Sequence, residues 1–118
     1  MTDKQARLWA QGQLHTRQQR WEDAIGAYRA IVGHAPDFVP AWLELSVAHE
    51  KMDAYRLARD AALQAAQHPP ATPLMALAVA RRLRRYEQIC ALFGYLGQTQ
   101  LQRVLPLDKL VDLPMYVA

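Results

Sequence analysis

Apolar residues recur along the chain at the three- and four-residue spacing of amphipathic helices. In the clearest stretch, residues 21–36, an apolar stripe follows two acidic residues and ends at a proline. Acidic side chains are favoured in the first turn of a helix, and proline cannot continue one. The same signals predict six helices, at about residues 3–18, 21–33, 38–51, 53–67, 73–83 and 86–96. We therefore expect an all-α protein.

Four positions of this stretch recur 34 residues further along the chain. They are Trp21, Ala24, Tyr28 and Pro36 in the first copy, and Tyr55, Ala58, Ala62 and Pro70 in the second. A fixed period of this length is typical of stacked helix-turn-helix units. The first helix of each unit is predicted to turn one side towards a neighbouring helix. This side carries Leu8, Gln11, Gly12 and His15 in the first unit, and Trp42, Leu45, Ser46 and His49 in the second. Thr2, Asp37, Asp53 and Thr72 are expected to begin the first, third, fourth and fifth helices.

These residues resemble the tetratricopeptide repeat (TPR) family. The matching positions are Leu8, Gly12, Ala24, Tyr28 and Pro36 in the first unit, and Trp42, Leu45, Ala58 and Pro70 in the second. The third unit has its Tyr86 three residues out of register and keeps only the helix-pair pattern. The resemblance implies a right-handed solenoid over residues 1–98, with two clear repeats, a degenerate third and a C-terminal helical tail.

A TPR-like solenoid would function as a protein–protein interaction scaffold, because the first helices of the family's repeats line a concave groove that binds peptides or protein surfaces. The resemblance places six candidates in this groove: Trp9, Gln13, Arg17, Leu43, Val47 and Glu50. The alternative for Trp9, Leu43 and Val47 is burial against a neighbouring helix or the tail. The basic residues with which some members hold a terminal carboxylate are absent from this face, where an acid, Glu44 or Glu50, stands instead.

A second candidate site is a basic patch formed by Arg81, Arg82, Arg84 and Arg85. Arginine forks suit phosphate groups or an acidic partner. The other interpretation, which we favour, is a solvated helix C-terminus, where the helix dipole favours cations. A net charge of only +3 and the absence of any base-reading motif do not favour a nucleic acid partner.

The sequence predicts neither an enzyme nor a cofactor. Ser46 occupies a packing position, and Cys90 stands among the apolar residues of the sixth helix, which indicates a buried, inert thiol. The four histidines form two repeat-equivalent pairs, and equivalent residues lie about one helix-packing distance, roughly 10 Å, apart. Because the chain also contains neither an HExxH nor a CxxC motif, we expect no metal site.

The tail, residues 99–118, is apolar and interrupted by two prolines. It is interpreted as a segment that caps the solenoid, as the start of a following domain or linker, or as a surface that pairs with another chain. The second interpretation would make the chain the N-terminal accessory domain of a larger enzyme such as a transferase, with catalysis outside this chain. The third would make it a homodimer module that self-associates through the third unit and the tail.

Three features favour a cytoplasmic protein with no membrane association. The N-terminus lacks the apolar run and cleavage site of a secretory signal. No stretch approaches the roughly 20 apolar residues that span a bilayer. A single cysteine excludes an internal disulfide and suits a reducing compartment.

Overall fold

A computed structural model describes residues 2–96, and within them the only regular secondary structure is α-helix. The five helices are α1 (Asp3–Arg17), α2 (Trp21–His34), α3 (Val39–Lys51), α4 (Tyr55–Ala66) and α5 (Pro73–Leu96). Each helix packs mainly against the next one in the chain. The all-α prediction is confirmed, as are the first four helices to within two residues at each end. The predicted tail at residues 99–118 lies outside the described residues.

The helix starts follow local capping chemistry in two of the predicted places. The Thr2 side chain accepts a hydrogen bond from the Gln5 backbone N–H at 3.2 Å, and the Gln5 side chain accepts one from the Thr2 N–H at 3.2 Å. This reciprocal pair is a capping box. At α5 the Thr72 hydroxyl accepts from the Met75 N–H at 3.1 Å. Asp37 does not cap α3, which begins after Phe38 without a side-chain cap.

The turns after α1 and α3 have the same structure and lie one repeat apart in the sequence. Gln19 and Asp53 both adopt a left-handed backbone with φ of 58°. The N–H of the next residue, Arg20 or Ala54, donates to the carbonyl five residues earlier at 2.9 Å in both turns. This 6→1 bond defines a Schellman motif, which ends a helix. The prediction that Asp53 starts the fourth helix is therefore wrong, because Asp53 ends the turn before it.

We expect Gln19→Gly to stabilise the protein by about 1 kcal/mol, because a side chain in the left-handed region carries a steric cost that glycine avoids. Asp53→Gly should gain less, since it also removes the carboxylate that accepts from the Tyr55 hydroxyl at 3.4 Å. The measurement is urea unfolding followed by circular dichroism. Ala10→Gly, in the exposed middle of α1, is the control and should lose about 1 kcal/mol. A loss of stability in Gln19→Gly would contradict this account.

The core is built around small residues that let the helices approach closely. Between α1 and α2, Gly12 faces the fully buried ring of Tyr28. Alanines supply the buried face of α4, and Ala58 and Ala62 pack with Tyr86 of α5. The predicted position of Gly12 on the face towards a neighbouring helix is confirmed. Gln11, predicted on the same packing face as Gly12, is instead exposed.

The third unit differs most from its prediction. Residues 73–96 form one continuous helix, whereas the sequence predicts two helices, at residues 73–83 and 86–96. Arg84 and Arg85 stand at the predicted break, and arginine is a good helix former. Since neither glycine nor proline occurs between Pro73 and Gly94, the helix has no local reason to end there. The third unit is therefore one long helix rather than a helix pair.

Candidate binding face

Trp9 and Gln13, one turn apart on α1, both contact Tyr28. The Trp9 ring lies 5.6 Å from the Tyr28 ring and meets Phe38 edge-on at 5.4 Å. The Gln13 amide donates to the Tyr28 hydroxyl at 3.0 Å, and Thr16 shares that hydroxyl at 2.9 Å. Trp9 and Gln13 are both half-buried. The structure thus brings these two predicted residues together, with part of each surface still accessible.

The other apolar candidates lie further along the chain. Leu43 is half-buried and packs against the cluster of Val39, Ala65 and Val79, which joins α3 to α4 and α5. Val47 is also half-buried, whereas Arg17 is exposed at the last residue of α1. Leu43 therefore contributes to packing between helices, in line with the alternative stated for it.

Glu50 is held by two arginines of α5. Arg85 binds it through both nitrogens of a fork, with Nε 3.2 Å from Oε1 and Nη2 2.8 Å from Oε2. Arg82 adds a third contact, Nη1 to Oε1, at 3.3 Å. The Glu50 side chain is only 12% exposed. Glu50 thus connects α3 to α5, and its carboxylate already has strong partners.

This arrangement corrects the interpretation of the arginine cluster. The four arginines are not at a helix C-terminus, because α5 continues to Leu96. Arg82 and Arg85 point towards Glu50, while Arg81 and Arg84 are exposed. The cluster is therefore divided between two sides of one helix, since adjacent residues on a helix do not share a face. No four-arginine patch forms.

Glu44 is a half-buried carboxylate of α3. Its charge acts on both the Tyr28 hydroxyl and the Arg82 guanidinium. Burial raises the pKa of the Glu44 carboxyl, and the attraction of Arg82 opposes only part of that shift. Within residues 2–96, Glu44 makes no ion pair within 4 Å. We call Trp9, Gln13, Glu44, Val47, Glu50 and Arg82 the α1–α3–α5 face. The sequence indicates only that an acid, Glu44 or Glu50, stands on this face. Which of the two acids pairs with an arginine depends on contacts between helices.

We expect Glu44→Gln to stabilise the protein at pH 7. A carboxyl with a raised pKa in the folded state binds protons more tightly than in the unfolded chain. The charged form therefore costs stability above the folded pKa, and the cost disappears as pH falls below the ordinary value of 4.5. Urea unfolding from pH 7 to pH 4 should show the variant's advantage shrink towards zero. Glu87→Gln, on the exposed surface of α5, controls for loss of one negative charge, and an advantage that persists at pH 4 would refute the explanation.

The described residues offer few groups for chemistry. Among residues 2–96 there is no group of three His, Cys, Asp or Glu side chains that could hold a metal ion. Burial raises the pKa of the Cys90 thiol, which disfavours the reactive thiolate. Ser46 is fully buried and donates to the Leu43 carbonyl at 2.6 Å. None of the helices in this part of the chain combines the length and apolar character needed to cross a bilayer.

Comparisons with known proteins return nothing similar. Models of protein families, curated proteins and solved structures were each compared with the chain, and none of the three gave a match. The proposals that follow therefore rest on this chain's own residues.

Proposed function

We propose that the chain is a TPR-like solenoid that binds a peptide or protein surface on its α1–α3–α5 face. The repeated architecture is supported by the two Schellman turns, which lie one repeat apart and have the same φ and the same hydrogen bonds. It is further supported by Gly12, whose packing against Tyr28 matches the helix-pair contact that the resemblance implies. In such an arrangement α1, α3 and α5 take the places of the groove-lining helices.

The observation that carries the proposed function is Glu44. Its carboxylate is half-buried and lacks an ion pair within residues 2–96, whereas Glu50 on the same helix is bound by two arginines. A partly desolvated charge without a partner costs stability, and a cationic group from outside would offset that cost. We therefore propose that the partner places a lysine, an arginine or an amino terminus on Glu44. Trp9 and Val47 would provide adjacent apolar contact area.

The test is capture of a partner from a bacterial-type lysate, with the wild-type chain and Glu44→Gln as baits. Because Glu44→Gln is expected to be at least as stable as the wild type at pH 7, loss of the partner would not reflect unfolding. Glu87→Gln is the matched control and should retain the partner. Equal capture by all three baits would contradict the role of Glu44.

A photo-crosslinking residue at Val47 locates the contact. The proposal expects the partner to be crosslinked from Val47 and not from Leu63, which is exposed on α4. A crosslink to a second copy of this chain would favour the homodimer instead. Absence of any captured partner would favour the accessory-domain role within a longer polypeptide.

A further inference from the structure

A cavity lies among α2, α3 and α4, and none of the residues of the α1–α3–α5 face lines it. Its volume is about 280 Å³. Val32, Leu45 and Ala61, one from each helix, give it an apolar floor, and Arg29, His49 and Asp60 add polar groups, again one from each helix. Ligand pockets of about 300–1,000 Å³ combine an apolar lining with a few polar groups. This cavity has that composition, and its volume lies just below that range.

His49 is the buried polar group of the cavity. Its side chain belongs to a residue only 6% exposed, and within residues 2–96 the imidazole makes no hydrogen bond. Among residues 2–96, Nδ1 of His15 is a fully buried nitrogen without a partner, whereas neither nitrogen of His49 is in that class. Because His49 lines the cavity, we infer that the accessible part of its ring faces that space. Burial and the nearby charge of Arg29 both lower the pKa of His49, so a neutral ring with one N–H donor is expected at pH 7.

The two charged residues at the cavity, Asp60 and Arg29, differ in whether they have an ion-pair partner among the described residues. Asp60 forms an exposed ion pair with the neighbouring Arg59 at 3.6 Å, so its charge is screened in part by that arginine and by solvent. Arg29 is exposed and, in the part of the chain that the structure describes, has no ion-pair partner within 4 Å. A guanidinium and an imidazole N–H therefore stand beside an apolar floor with no acceptor of their own. Arginine forks and imidazole donors both suit a carboxylate.

We propose that this cavity binds a small carboxylate of about amino-acid size. The carboxylate would accept hydrogen bonds from the Arg29 guanidinium and the His49 ring, and the aliphatic part would lie on Val32, Leu45 and Ala61. The site is separate from the α1–α3–α5 face and does not rest on the function proposed for it. Failure of either proposal leaves the other standing.

The experiment uses N-acetyl-leucine as the probe and the imidazole resonances of the whole chain as the readout. His49 is identified among the four histidines by the resonance that disappears in His49→Gln. Millimolar N-acetyl-leucine should shift the His49 signal and raise the pKa of His49, because a nearby negative charge favours the imidazolium. N-acetyl-leucinamide, which has the same side chain but a neutral amide in place of the carboxylate, should do neither.

Arg29→Gln tests the recognition of charge. Arg29 is exposed, so the variant is expected to fold, and its affinity for N-acetyl-leucine should fall about tenfold or more, as expected for loss of a charged hydrogen bond. Arg7→Gln, an exposed arginine of α1 outside the cavity, should bind like the wild type. The proposal is overturned if N-acetyl-leucine leaves His49 unshifted, if N-acetyl-leucinamide binds equally well, or if the two arginine variants behave alike.

Discussion

Gly12→Ala is expected to destabilise the protein by about 2–3 kcal/mol, the upper part of the range for overpacking a close contact. A Cβ atom at this position would lie 2.5 Å from Cε1 of Tyr28 and 2.8 Å from Cζ. The ring cannot move aside cheaply, because it is fully buried and its hydroxyl is bonded to Gln13 and Thr16. The helices α1 and α2 would therefore have to separate, although alanine improves helix propensity by about 1 kcal/mol.

Two other glycines give this prediction a matched control. Gly26 and Gly33 are exposed in α2, and a Cβ at either position meets nothing within 4 Å. Gly26→Ala and Gly33→Ala should thus gain roughly 0.5–1 kcal/mol from propensity alone. Replacement of glycine by alanine would thus lower stability at Gly12 of α1 and raise it at Gly26 and Gly33 of α2. Urea unfolding of the three variants measures this, and a Gly12→Ala protein as stable as the wild type would show that the helices do not pack closely there.

The sequence predicted well those features that depend on local chemistry or on the repeat. Apolar spacing, the Thr2 cap and the prolines located four helices, and the repeat period placed Gly12 against a neighbouring helix. These signals act within a few residues or recur at a fixed distance, so a sequence carries them directly. Asp53 was misplaced for the same reason: aspartate favours helix starts, and here the Schellman turn overrides that preference.

Features that depend on contacts between distant residues could not be predicted in this way. The sequence favours a helix end for the arginines of α5, because four cations within five residues give no indication of a carboxylate 32 to 35 residues earlier. Glu44 and Glu50 stand on one helix, yet among residues 2–96 only Glu50 forms an ion pair with those arginines within 4 Å. The cavity beside His49 likewise draws residues from three helices. The packing between helices determines which charged side chains have an ion-pair partner. Both candidate sites, the α1–α3–α5 face and the cavity beside His49, depend on charges left without one within residues 2–96.

Glu50→Ala is the second large effect and should cost about 2 kcal/mol, a value between those of exposed and buried ion pairs. The carboxylate is 12% exposed, while Arg82 and Arg85 are 39% and 30% exposed. Exposed ion pairs are worth about 0–1 kcal/mol, and disruption of buried ones costs about 3–5 kcal/mol. The fork geometry with Arg85 places Glu50 above the exposed class. Arg84→Ala is the control, at an exposed residue of α5, the helix that carries Arg82 and Arg85. It should change stability by less than about 0.5 kcal/mol.

A double-mutant cycle separates the ion pair from other effects of truncation. Glu50→Ala, Arg85→Ala and the double variant should give a coupling free energy of about 1 kcal/mol. Each single variant already removes the interaction between the two residues, so the double variant does not lose it a second time. A coupling near zero would mean that the contact adds nothing to stability. The cycle also distinguishes the two acids of the α1–α3–α5 face. Glu50→Ala should weaken partner capture together with stability, because Glu50 positions α5. Glu44→Gln should weaken capture while stability at pH 7 rises, as expected only if Glu44 itself contacts the partner.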